Sequence, residues 1–374
     1  MFEKLDQIKP ALKDLVKELR KKYAYASVLA VEDDNRGWRI SRTGKRINSQ
    51  GFGGGSGYVV RVFDNIGCAE YSFNEFSEEK IPQIVKTIEE RIAQEAKCIP
   101  QGIEPLHTPI PSDKPATLKK VSAFEVHPKE LGDEKILARL DEIRNKALTV
   151  DGVLDAIATI SYRAFRKIFI SENRDLDQTI MWTNGAIMAM AARGEEVKDA
   201  YKGFSTLGGA ELLNRMDDYA IKVASEAVEL LKSEPMIPGE YDCICDPDTT
   251  GMIVHDGNAV DDTATCWFDD EGTLTGDTVV ISNGILKRGM CDALSAARLG
   301  VEPTGNGRRE SYERKVYTRM TNTYFEGAKE GVTPEDMIAS VKYGFLLESP
   351  SSGMEDPKNW GIQCMVTRAR EIKD

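Results

Sequence analysis

The chain has 374 residues, 41% hydrophobic and 29% charged, which excludes wholesale disorder and leaves room for two cores, since single cores stop growing near about 250–300 residues. Forty-nine Lys and Arg against sixty-one Asp and Glu give a formal charge of -12, so no direct nucleic-acid binding and no membrane partner are expected from the field alone. No apolar stretch approaches the roughly 18–20 residues of a membrane helix, and Met1-Phe2-Glu3-Lys4-Leu5-Asp6 opens an amphipathic pattern rather than a signal peptide, so a cytoplasmic location is expected.

Leu5, Ile8, Leu12, Leu15, Val16 and Leu19 recur at three- and four-residue steps and predict a helix with one apolar face. It ends at Arg20-Lys21-Lys22, whose charge suits a helix C-terminus. The period then changes. Ser27–Val31, Trp38–Ile40 and Gly57–Phe63 are short, β-prone and bounded by Gly, Asn and Asp, which predicts a run of strands. A second helix is expected through Ile84, Val85, Ile88, Ile92 and Ala96, with Pro82 in its first turn.

The Pro-rich stretch Ile99–Pro115 reads as a connector, after which the pattern begins again. A helix runs through Ile136, Leu137, Leu140, Ile143 and Leu148, followed by strands around Val153–Tyr162, Phe165–Ser171 and Thr179–Ala191. Leu212, Leu213, Tyr219, Val223, Ala227, Val228 and Leu231 then predict another helix. Helix, strands, helix twice over suggests an internal repeat of residues 1–98 and 128–234.

Pro235-Met236-Ile237-Pro238-Gly239 cannot continue a helix, which places a domain boundary between 1–234 and 235–374. Beyond it the chain turns β-rich. Tyr241–Asp246 alternates, and Thr278–Ile281 meets Ile285–Lys287 across Ser282-Asn283-Gly284, where Asn-Gly supplies the positive φ angles of a tight hairpin. Thr333 as N-cap, Pro334 at the first position and Asp336 at the third specify a helix that Gly344 is expected to stop.

Seven scattered cysteines (Cys68, Cys98, Cys243, Cys245, Cys266, Cys291, Cys364) fit reduced thiols better than a disulfide framework. The histidines are His107, His127 and His255, none within five residues of another. Gly51–Gly57 invites a phosphate-loop reading, but it carries neither a dinucleotide fingerprint nor a Walker lysine, and a flexible turn before a strand is preferred. Cys243 and Cys245 lie on one side of a strand with His255 and Asp256 following, so a metal site is conceivable, against packed side chains in a buried strand. Gly203–Gly208 misses a nucleophile elbow by one residue. Asp261-Asp262 and Asp269-Asp270-Glu271 lack the spacing of a calcium loop and read as a solvated turn.

Thr304–Tyr312 is the most unusual segment. Its glycines free backbone amides, and Asn306, Arg308 and Arg309 are candidates for gripping a substrate carboxylate or another anion. An arginine-braced turn paired to local acids is the equal alternative.

In several of its segments the chain resembles the TldD/PmbA family, closer to its TldD-like branch. The likeness rests on Phe268-Asp269-Asp270-Glu271-Gly272, Gly276-Asp277-Thr278, Asn283–Lys287, Pro303–Ser311, Arg319–Thr323 and Met354–Gly361. The resemblance implies an α+β fold, with an N-terminal domain of helices and antiparallel sheet and a β-rich C-terminal domain. It further implies a cytoplasmic zinc metallopeptidase that degrades or matures unfolded or modified peptides, assembled as a homodimer or a heterodimer with a TldD/PmbA-type subunit. The family is also linked to modulation of DNA gyrase. A non-catalytic PmbA-like partner subunit or peptide-binding scaffold is the alternative.

The zinc centre that the resemblance implies needs His-Glu-x-x-x-His and a cysteine far toward the C-terminus; there the metal polarises the scissile carbonyl and lowers the pKa of its water. In this sequence Gly251–Val260 passes almost directly to Asp269. Either His255 is the first motif histidine with Asp256 in place of the glutamate, or the motif helix is absent and His255 belongs to its far side. Ala259 and Val260 occupy the positions one turn on, Cys364 does not match the cysteine ligand, and Asp374 precedes the region where that ligand lies. The expectation is therefore a truncated C-terminal domain without a complete metal site, with His255 as a remnant and no zinc bound.

Overall fold

The computed structural model describes residues 2–48, 55–64, 67–98, 110, 113–253, 264–327, 331–356, 358–359 and 361–373. The first half runs α1 (Glu3–Arg20), β1 (Tyr25–Ser41), β2 (Gly44–Asn48), β3 (Gly57–Phe63), β4 (Cys68–Phe73), a 3-10 turn at Glu78–Lys80 and α2 (Ile81–Cys98). Then come β5 (Ala116–Val121), α3 (Pro128–Leu131), α4 (Asp133–Ala147), β6 (Val153–Ser171), β7 (Arg174–Arg193), β8 (Glu196–Leu207) and α5 (Leu212–Leu230). Most of the predicted connector, residues 99–109 and 111–112, lies outside the described residues.

All eight strands form one sheet in the order β4-β3-β1-β6-β7-β5, with β2 added to β1 and β8 to β7. The short strands expected at Ser27–Val31 and Trp38–Ile40 are a single strand, as are those expected at Val153–Tyr162 and Phe165–Ser171. The charged run between the first two pairs antiparallel with β6 from Ser27↔Ser171 to Ile40↔Ala158, and that continuous ladder holds polar residues in strand geometry. Gly203–Gly208 runs out of strand β8 rather than forming an elbow.

Side chains alternate along a strand, so even-numbered residues of β1 share one face. Ala26, Val28 and Ala30 pack there against Leu5, Leu12, Leu15, Ile84 and Ile88 of α1 and α2. Farther along the same face, Trp38 and Ile40 join Ile136, Leu140, Met216 and Val223 of α4 and α5. Four helices therefore cover one face. On the other, the registers align Leu118, Leu176, Phe169, Leu29 and Val59 in one apolar row, and Lys120, Gln178, Lys167, Val31 and Gly57 in the next. Those two rows receive Trp267–Gly272 and Tyr312 of the C-terminal half.

That half begins with β9 (Asp242–Cys245) and α6 (Pro247–Ile253). Next come the hairpin β10 (Ile281–Ser282) and β11 (Ile285–Leu286), then α7 (Ala293–Leu299), β12 (Gly307–Arg309), β13 (Val316–Thr318), α8 (Pro334–Ala339), β14 (Tyr343–Asp356) and β15 (Gly361–Lys373). The Asn-Gly turn is as expected, with Asn283 at φ 50 and Gly284 at φ 74. β14 joins β9 in parallel and β15 antiparallel. Arg368 on β15 reaches Glu226 of α5 at 3.3 Å and ties this sheet to the first half. Thr333 and Asp336 form the reciprocal capping box, but α8 ends at Ala339 with Ser340 as its C-cap, and Gly344 belongs to β14, where its backbone pairs with Asp242. Among the described residues no helix is long and apolar enough to cross a membrane.

Candidate functional site

The segment Trp267–Gly272 is clasped onto the sheet's second face. Gln178 is fully buried; its carbonyl accepts from Trp267 N at 2.8 Å and its amide donates to Phe268 O at 3.0 Å. This fixes Phe268, 0% exposed, against Leu29, Val59, Phe169 and Leu176. Gly272 closes the turn at φ 78, and a Cβ there would meet the Phe169 ring at 2.3 Å. Only glycine satisfies both demands.

The three acids between are buried, which corrects the expected solvated turn. Asp269 accepts from the backbone N–H of Glu271, Thr273 and Gly307, each at 2.9 Å. Asp270 pairs with Lys167 and accepts from Arg309 N at 2.8 Å. Glu271 takes Arg61 at 2.9 Å and Ala293 N at 2.7 Å. Glu70 is shared between Arg61 and Arg309, while Arg174 donates to Gly272 O. Glu70, Asp270 and Glu271 thus pair with Arg61, Lys167 and Arg309, three carboxylates against three cations, as buried charge requires.

Burial, and then the Glu271 carboxylate, push Asp269 up to about 7 against its three backbone donors. Burial works against Asp270 as well, but Lys167 and the Arg309 amide outweigh it and hold its carboxyl below the usual range. Glu70 is held low in the same way, with Arg61 and Arg309 overcoming burial.

Of the candidate binding residues, Asn306 is buried: its amide donates to Arg319 O at 3.0 Å and its carbonyl accepts from Thr304 Oγ1 at 2.6 Å. The Arg309 guanidinium is engaged by Glu70 and Arg314 O. Arg308, between them in the β12–β13 ladder opposite Tyr317, is half-buried, and no hydrogen bond or ion pair of its guanidinium is found among the described residues. It lies close enough to act on Cys266, whose thiol burial pushes up to about 11 while Arg308 and Lys167 pull the other way.

His255, Asp256, Ala259, Val260 and Asp261-Asp262 lie outside the described residues, as do Gly51–Gly54. Cys243 is exposed and Cys245 half-buried, so β9 is not the buried strand expected for packed thiols. Among the described residues no three His, Cys, Asp or Glu side chains converge to hold a metal ion. Sequence reasoning missed Arg61, Glu70, Lys167, Arg174 and Gln178. The available signal was a charge or amide at the alternate positions of otherwise apolar strands, where a buried polar group demands a partner.

Residues 239–374, which carry the clasp and the arginine loop, match the family described as the PmbA/TldA metallopeptidase C-terminal domain. A metalloprotease TldD homolog of Buchnera aphidicola is 43% identical over 122 residues, 33% of this chain and 25% of that protein. A metalloprotease of Methanocaldococcus jannaschii is 26% identical over 378 residues, 87% of this chain and 78% of that protein. By the family match the C-terminal part of the chain, residues 239–374, carries a PmbA/TldA metallopeptidase C-terminal domain. Another such relative, a metalloprotease of Methanothermobacter thermautotrophicus, is 23% identical over 71% of this chain, which spans 62% of its length. The chain thus covers a quarter of the first of these relatives and under two thirds of the last.

The fold is shared with solved structures. A Thermotoga maritima protein described as a candidate modulator of DNA gyrase superposes with a TM-score of 0.70 at 15% identity, over 93% of this chain and 83% of that one. TldE from Thermococcus kodakarensis does so with a TM-score of 0.67 at 15% identity, over 97% and 88%.

Proposed function

We propose that this chain is a TldD/PmbA-type peptidase subunit acting on unfolded or modified peptides, and that its zinc centre is incomplete in the sequence as it stands. The observation that carries the reading is the seating of the family's own segments: Phe268–Gly272 and Thr304–Tyr312 are locked to each other and to one face of the sheet. Relatives named as metalloproteases, one of them a zinc metalloprotease from Saccharolobus solfataricus, support the reaction class. In this reading Asn306 and Arg309 hold the loop, and Arg308 offers its guanidinium to a peptide carboxylate. The proposed domains are 1–234 and 235–374, and the proposed setting is a cytoplasmic homodimer or heterodimer.

Among the described residues no three His, Cys, Asp or Glu side chains converge on one metal position. His255 remains the candidate ligand, with Ala259 and Val260 where a second imidazole would stand. That gap favours a second reading, a partner subunit that binds peptide while a complete TldD-like chain supplies the metal. Metal analysis of the purified chain, with cleavage assayed on an unstructured peptide, tests the incomplete centre, and binding to a complete TldD-like homologue tests the partner reading. The expected result is less than stoichiometric zinc and no cleavage alone. One tight zinc per chain with cleavage overturns the incomplete centre, and failure to bind a complete TldD-like homologue removes the partner reading.

A further inference from the structure

His127 is the one histidine among the described residues, and it is 4% exposed. Its Nδ1 accepts the backbone N–H of Lys129 at 3.0 Å and so caps α3. An accepting ring nitrogen carries no proton, so the neutral ring holds its hydrogen on Nε2. That Nε2 is buried without a partner among the described residues. The ring stands steeply against Phe124 at 5.7 Å and Tyr162 at 5.5 Å. Charging it would break the Nδ1 bond and place a cation with nothing to receive its new proton.

The position matters because of what adjoins it. Val126, the preceding residue, donates its N–H to Glu211 at 3.1 Å and accepts Ala210 N at 2.8 Å. Glu211 also accepts Gly209 N at 2.6 Å, and Thr183 on β7 donates to Gly208 O at 2.7 Å. The chain between β5 and α4 is thereby knotted to the turn that joins β8 to α5.

We propose that His127 makes this junction acid-sensitive: protonating the ring releases the Lys129 amide, uncaps α3 and loosens residues 122–131 from the Gly208–Glu211 turn. Several charged groups face the ring. Glu130 and Lys129 lie on α3, and Asp34 on β1 takes Lys129 at 2.7 Å and the Tyr162 hydroxyl at 2.9 Å. Arg36 on β1 and Asp133 on α4 neutralise each other nearby. Burial is the leading influence and lowers the histidine's pKa; Glu130 and Asp34 oppose it, and Lys129 assists it.

With a folded pKa below the ordinary value of about 6.5, the neutral ring's contribution is present above that value and is lost as pH falls toward the folded pKa. At Glu211, burial is outweighed by backbone N–H groups that hold its carboxyl low, so this acid stays charged through the same window.

The test is made on the full chain. Histidine NMR should find His127 as the Nε2–H tautomer, titrating below about 6.5. Hydrogen exchange, corrected for the intrinsic pH dependence, should lose roughly tenfold protection over residues 122–131 between about pH 7.5 and 5.5. His127→Asn keeps a capping acceptor and should abolish that loss. A His127 titrating at or above the ordinary value, or an equal loss of protection in His127→Asn, overturns the proposal. Should the variant fail to fold, the titration of the unmodified chain decides alone.

Discussion

The ring of Tyr312 occupies the space that a side chain on Gly57 would need: a Cβ there would come within 2.5 Å of the ring. The start of β3 and the end of the arginine loop are therefore fitted to each other across more than 250 residues of chain. Gly57→Ala should destabilise the protein by about 1–3 kcal/mol, the usual cost of forcing extra atoms into a packed contact. Urea unfolding checks this. Tyr312→Ala in the same chain should relieve most of the penalty, and an additive pair would show that the two residues do not meet.

Phe268 is the apolar anchor of the clasp, fully buried on the Leu29, Val59, Phe169 and Leu176 row. Phe268→Ala removes a large ring from a closed site and should cost about 3–5 kcal/mol. The unfolding midpoint measures it. A loss under about 1 kcal/mol would mean that the site collapses around the gap or that the segment is held by Gln178 alone.

Much of the architecture could be read from periodicity. The helices through Leu5–Leu19 and Ile136–Leu148 bury the residues that the three- and four-residue steps put on one face. Long-range register was not legible: nothing local in Glu32–Arg36 says that β6 will pair along its whole length and make one strand of two. For the same reason, the family motifs in Phe268–Gly272 and Thr304–Tyr312 could be noticed, but not that Arg61, Lys167 and Gln178 receive them. Asp270 and Glu271 read as solvated because their cations, Lys167 and Arg61, lie over a hundred residues away. The capping box at Thr333 is local chemistry and was readable, whereas the end of that helix is set by the pairing of β14 with β9 and was not.

Lys167 and Asp270 give a pH-dependent prediction. The folded pKa of Asp270 is lowered, so its pairing stabilises above the unfolded value of about 3.8 and that contribution is lost as pH falls through the lower folded value. Lys167→Met leaves Asp270 without its buried cation and should cost about 3–5 kcal/mol near neutral pH. Once acid protonates Asp270 in folded and unfolded chains alike, the penalty should shrink. Urea unfolding at neutral pH and at about pH 3 compares the two. An equal penalty at both values would mean that Lys167 acts by packing on Phe165, over whose ring its ammonium lies at 5.3 Å, rather than through charge.

The adjacent arginines should separate stability from binding. Arg309 is buried, donates to Glu70 and Arg314 O, and carries the amide that Asp270 accepts. Arg309→Ala loses the side-chain bonds but keeps the amide, so it should destabilise by about 1.5–3 kcal/mol, the range for hydrogen bonds to charged groups. Arg308 has no such partner among the described residues, and Arg308→Ala should leave the unfolding midpoint nearly unchanged. If its guanidinium receives a peptide carboxylate, the same change should weaken binding of an unstructured peptide by roughly tenfold, about 1.4 kcal/mol, and amidating the peptide's C-terminus should abolish the difference. Fluorescence anisotropy with both peptides reads this directly. Equal affinity in native and Arg308→Ala chains would remove Arg308 from peptide binding, and an equal loss with the amidated peptide would mean that the contact reads some other group.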